Sequence, residues 1–187
     1  MRLFLAINLE PTLRRAIVDA AAPLRLAAPS LNWVDESRLH LTLKFLGEVP
    51  EDLMMRLSNT MDEIARRHRS FSMRIGEVGA FPNFRRARVV WMGIERDPRL
   101  ELVHHDLELA CERHGFDLEG RAFRPHLTLA RVKERPDLEE LRQLSRASKK
   151  IDFGEESPVN SIDLMRSHPA SVSPRHERLH AASLRHN

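Results

Sequence analysis

The sequence predicts an α+β fold built on a duplicated lobe of antiparallel strands. Three observations carry this. Segments of strict apolar/polar alternation are interspersed with segments of helical spacing. Each half of the chain gives a helix, a strand with the word HLTL, a second helix and further strands. No Gly-, Ser- or Pro-rich linker divides the halves.

The elements follow in order. "RLFLAINL" (2–9) alternates as a strand, and Pro11 opens a helix running to about Leu26. "LNWVD" is a short strand and "RLHLTLKFLG" a strong one, with a glycine stop. Pro50 and two acids start the helix "VPEDLMMRLSNTMDEIARRH". "FSMRIGEVGAF" and "RVVWMGIE" are strands joined by the loop "PNFRRA". A helix runs from Pro98 to Gly115. Then come the strand "FRPHLTLARV", the helix "RPDLEELRQLSRAS", the segment "IDFGEESPVNSIDLMRSH" and a closing strand, "RHERLHAASL".

At 187 residues, 42% hydrophobic and 30% charged, the chain has the composition of a soluble globular protein with a real core. Asn8 and Glu10 interrupt the N-terminal apolar run, which reads neither as a membrane span nor as a signal peptide. The single cysteine, Cys111, allows no internal disulfide, fits a reducing cytoplasm and is expected half-buried on a helix. The formal charge of +3, with arginine far outnumbering lysine, permits a polyanionic ligand without demanding one.

The chemistry is concentrated in the repeated word. There are ten histidines and four threonines, so chance yields roughly 0.2 His-x-Thr occurrences. Two occur, His40-Leu-Thr42 and His126-Leu-Thr128, each followed by leucine. Residues i and i+2 of a strand share a face, so each imidazole lies beside a hydroxyl while the leucines anchor the other face. Brought together across a cleft, two imidazoles of ordinary pKa, about 6.5, can hold opposite proton states near neutrality. One then takes a proton from water while the other gives one to a leaving oxygen, the pairing that phosphodiester cleavage needs. Thr42, Thr128 and Arg131 are candidate donors to the phosphoryl oxygens. Arg131 lies five residues beyond His126, an odd offset that faces it away unless the strand ends or twists near Ala130.

On these motifs and their flanks ("RLFLAINL", "HLTLKFLGEV", "RPHLTLARV", "SIDLMRSH") the sequence resembles the two-histidine phosphoesterases. Among them it is most similar to the RNA 2′,3′-cyclic phosphodiesterases, also called 2′-5′ RNA ligase-like (LigT, ThpR) proteins. The resemblance implies a single bilobal domain over residues 1–187, with one HLTL strand per pseudo-two-fold lobe. Two mainly antiparallel sheets would face a central cleft, with helices outside. It also implies metal-independent, cofactor-free hydrolysis of cyclic phosphate ends to 2′-phosphomonoesters, with His40 as proton donor and His126 as acceptor. The expected partners are RNA ends or cyclic nucleotides, with no membrane and no obligatory protein partner, for a monomer. The alternatives are 2′-5′ ligation of tRNA halves and a non-catalytic RNA-end-binding module. Relatives of this kind often carry an aromatic in the C-terminal segment; here it holds His176, and the chain has no tyrosine.

Other residues read as follows. Arg124, Arg131 and the loop Phe81–Arg88 are candidates for a basic, aromatic RNA wall. Phe45 and Trp33 are expected in the core. His104 and His105 diverge around their helix, so they do not form a metal pair. His176, His180 and His186 are expected on a solvated terminal strand, without a compact ligand set.

Overall fold

The computed structural model describes residues 1–133, 135–168 and 175–186. Strand β1 (Arg2–Asn8) leads into α1 (Pro11–Ala20), and the expected long helix breaks at Ala21 into a short α2 (Ala22–Ala27). After β2 (Asn32–Trp33) come β3 (His40–Glu48), α3 (Glu51–Ala65), β4 (Phe71–Phe81) and β5 (Val89–Ile94). Next is α4 (Pro98–Glu112), capped by Asp97, whose side chain accepts from the Arg99 N–H. The chain closes with β6 (His126–Arg131), α5 (Leu138–Ser148, capped by Asp137), β7 (Glu155–Val159), β8 (Ser161–His168) and β9 (Arg175–Ser183).

The strands pair in the order β7-β4-β5-β6-β3-β1-β8-β9, with β2 also on β6. The two expected sheets are thus one curled sheet, and its central joint is narrow: β3 and β6 pair antiparallel only at Leu41 and Leu127. The two sides of this joint are not the N- and C-terminal halves of the chain. β8 and β9 return to extend the β1–β3 side, and β7 extends the β4 side.

One large core lies on the leucine face of both motif strands. Leu41, Leu43, Leu127 and Leu129 pack there with Ile17 of α1, Leu57 of α3, Leu100 of α4 and Leu141 of α5. Phe4, Ala6 and Met165 form a separate small cluster.

Both motif strands carry a bulge one residue after the threonine. On β3, Leu5 pairs with Lys44 and Ala6 with Thr42, so Leu43 is extra; on β6, Val90 pairs with Ala130 and Trp91 with Thr128, so Leu129 is extra. A bulge reverses the alternation beyond it. Phe45, expected in the core, is therefore 69% exposed, and Lys44 is buried in its place. Lys44 Nζ is neutralised by Glu108 of α4 at 2.8 and 2.9 Å and donates a third bond to the Asp117 carbonyl. Trp33 is half-buried, its ring N–H donating to the Ala28 carbonyl.

Candidate active site at the seam of the sheet

The Leu41–Leu127 pair sets the geometry of the site. In an antiparallel ladder its flanking residues face each other, which sets His40 opposite Thr128 and Thr42 opposite His126. The two histidines are then diagonal neighbours, roughly 7–8 Å apart by ladder spacing. All four side chains are half-buried, on the face opposite the leucine core.

The rings are held alike. His40 Nδ1 lies 2.8 Å from the Arg38 carbonyl and His126 Nδ1 lies 2.7 Å from the Arg124 carbonyl. A carbonyl only accepts, so each Nδ1 carries the proton and each Nε2 keeps its lone pair. His40 Nε2 is 3.1 Å from Thr42 Oγ1, whose hydroxyl donates to it. Each ring is also braced by aromatics. Phe4 lies 5.0 Å from His40, while Phe81 stands edge-on 5.0 Å from His126 with Trp91 at 6.4 Å.

Burial dominates the electrostatics. It drives the His40 pKa down to about 4, helped by the neighbouring His176 and the Arg38 charge and opposed by the Arg38 carbonyl. Burial also lowers His126; the Arg124 carbonyl opposes this and the Arg131 charge adds to it. In the free protein both rings are therefore neutral at pH 7. A bound phosphate monoanion against both Nε2 atoms favours the imidazolium and raises both.

Arg131 meets the condition its odd offset imposed. The bulge at Leu129 and Ala130 returns it to the face of His126 and Thr128, where it is exposed and its charge reaches His126. Of the loop residues, Phe81 reaches the site. Asn83 caps the turn that follows by accepting from the N–H groups of Arg85 and Arg86.

A model of the 2′-5′ RNA ligase superfamily matches residues 10–170. The chain belongs to this superfamily. An RNA 2′,3′-cyclic phosphodiesterase of Methanothermobacter thermautotrophicus is 32% identical over 174 residues, 93% of this chain and 94% of the relative. One of Thermotoga maritima is 30% identical over 93% of this chain and 89% of the relative. Among solved structures, a Thermus thermophilus protein superposes with a TM-score of 0.81 at 31% identity, covering 100% of this chain and 99% of the other. Escherichia coli LigT complexed with 3′-AMP gives 0.75 at 28%, covering 98% and 97%.

For a member of this superfamily, two residues beside the HLTL words stand out that sequence reasoning did not single out as site residues. Arg38 holds His40 through its carbonyl, its charge adds to the burial that lowers both His40 and His176, and its Nε has no partner among the described residues. The signal was present: the repeated word is longer than HLTL, with arginine two positions before each histidine, at Arg38 and Arg124. Phe4 carried no such signal, because the alternation of β1 does not reveal which strand covers it.

The histidines outside the two words divide. His176, expected in solvent, packs edge-on against His40 with ring centroids 5.1 Å apart. His180 turns to the other face of β9 and pairs with Asp62 of α3 at 2.9 Å, and His186 is exposed. His104 stacks on Phe123 at 3.9 Å, beside the buried Lys44–Glu108 pair. Cys111 is more buried than expected, at 3% exposure, and burial pushes its thiol up to about 11, so it is no nucleophile at neutral pH. Among the described residues no helix is long and apolar enough to cross a membrane.

Proposed function

We propose that this protein is an RNA 2′,3′-cyclic phosphodiesterase, opening cyclic phosphate ends to 2′-phosphomonoesters. The observation that carries the reading is the matched pair of imidazoles at one seam, each held at Nδ1 by a carbonyl so that Nε2 is the atom left for proton transfer, with the Thr42 hydroxyl beside that of His40. The names of its relatives support the substrate class.

The reaction runs as an in-line displacement at phosphorus. His126 Nε2 takes a proton from water as its oxygen attacks, and the P–O3′ bond breaks. His40 Nε2, protonated once the substrate anion is bound, gives its proton to the departing O3′. Thr42 and Thr128 donate to the non-bridging oxygens and Arg131 offsets their charge. Ligation is the same chemistry with an RNA 5′-hydroxyl in place of water, and the superfamily's description favours keeping it as the second reading. A catalyst accelerates both.

The test incubates EDTA-treated protein with a 2′,3′-cyclic mononucleotide and a cyclic-ended oligonucleotide, resolving 2′ from 3′ monoesters. The 2′ product is expected, at a rate unaffected by the chelator. Exclusive 3′ product, or binding without turnover, would overturn the reading, the latter in favour of an RNA-end-binding module.

A further inference from the structure

Beside His40 the sheet face sinks into a cavity of about 400 Å³, walled by Asn8, Glu10, Arg14, Ser161, His176 and Arg178. Its floor holds Asp163, fully buried. The Asp163 carboxylate accepts from Asn8 Nδ2 at 2.6 Å and from Ser161 Oγ at 2.9 Å, and the Arg178 guanidinium lies 3.7 Å away. A buried carboxylate needs such partners, and in return it fixes them. Asn8 must turn its NH₂ downward, and Arg178 is drawn over the cavity, where 59% of its side chain stays exposed. Arg14 of α1, which also lines the cavity, donates to the Ser37 carbonyl, and its Nε has no partner among the described residues. Two guanidinium groups from separate elements therefore stand over one polar cavity. Neither has a carboxylate at hydrogen-bonding distance among the described residues.

The side on which this cavity lies decides what it takes. With His40 protonating O3′, the ribose bearing the cyclic phosphate lies on the His40 side, and the rest of the RNA strand continues from its O5′. Arg178 shares a strand face with His176 two positions away, roughly 7 Å along β9. The His176 ring itself stands 5.1 Å from His40. An anion bound between Arg14 and Arg178 would sit about one nucleotide from the reacting phosphorus.

We propose that this cavity binds the phosphodiester on the 5′ side of the terminal, cyclic-phosphate-bearing nucleotide, through Arg14 and Arg178, so that the protein selects oligonucleotide ends over mononucleotides. The proposal rests on the assignment of His40 to the leaving-group side. Guanidinium forks suit a phosphate's oxygens, and Asp163 acts on the bound anion only through the partners it orients.

The experiment compares kcat/KM for a 2′,3′-cyclic mononucleotide with that for a dinucleotide bearing the same cyclic end. The wild type should prefer the dinucleotide, and R14Q or R178Q should each cut that preference about tenfold, the worth of one charge-assisted hydrogen bond. A neutral methylphosphonate at the internucleotide position should abolish the preference in the wild type and remove from R178Q only the share, about tenfold, that Arg14 still supplies. An unchanged preference in both variants, or a methylphosphonate that works as well as the phosphate, would overturn the proposal. Absence of all turnover would instead sink the hydrolase reading. The subsite would then stand or fall on whether R178Q weakens binding of a 2′-phosphorylated dinucleotide about tenfold.

Discussion

His40 and His176 meet edge to face, their ring centroids 5.1 Å apart at 71°, and both rings lie 5.0 Å from Phe4. They come from β3 and β9, which the sheet separates by β1 and β8, so its curl creates the contact. The cleft therefore holds a third imidazole whose charge opposes protonation of His40.

Replacing His176 by phenylalanine keeps a ring against Phe4 and removes that like charge. The expected result is a higher His40 pKa, since its imidazolium no longer faces a second one. An NMR titration of the His40 ring in both proteins measures it. A fall in the His40 pKa would mean that burial by the new ring outweighs the lost repulsion.

The pH profile of kcat/KM follows from the free protein. The base must be neutral and the acid protonated, and both histidines lie below the usual 6.5, His40 at about 4. Both limbs of the bell should therefore fall on the acid side of 6.5. Substrate charge raises both groups, so the kcat profile should sit at higher pH than that of kcat/KM. Coincident profiles centred above neutrality would contradict this electrostatic account.

Removing either histidine should lower turnover by about 10²–10⁴, the usual contribution of a positioned acid or base. H40A with H126A should cost much less than the product of the two, because they act on one transition state. Steady-state kinetics of the three variants decide this, with circular dichroism to establish that each folds.

Gly79 has a packing role at the site. A Cβ there would lie 2.2 Å from the Trp91 ring, which packs 5.1 Å from Phe81, the ring that braces His126. G79A should cost about 1–3 kcal/mol by overpacking and lower kcat by displacing His126. Thermal unfolding and kinetics together test it; a normal kcat would show that the aromatic brace does not hold the ring.

Much of this architecture was legible because its signals are local. The HLTL words set their histidines and threonines on one face through strand alternation alone, and Asp97 and Asp137 mark helix starts by side-chain capping. The rest arises between strands. Alternation carried past a bulge puts Phe45 inside and Arg131 outside the site, and both are reversed by extra residues visible only in the pairing with β1 and β5. His176 read as solvated because nothing local shows that β9 pairs with β8 and curls toward β3. The strand order was not legible for a similar reason, since β8 and β9 join strands far earlier in sequence.

The most direct test of the central claim, that His40 and His126 divide acid from base, changes the leaving group. In a cyclic substrate whose 3′-oxygen is replaced by sulfur, the departing thiolate needs no proton. The account predicts that H40A, defective on the oxygen substrate, approaches wild-type turnover on the sulfur one, while H126A stays defective on both. Rescue of H126A with no rescue of H40A would contradict it and exchange the two roles.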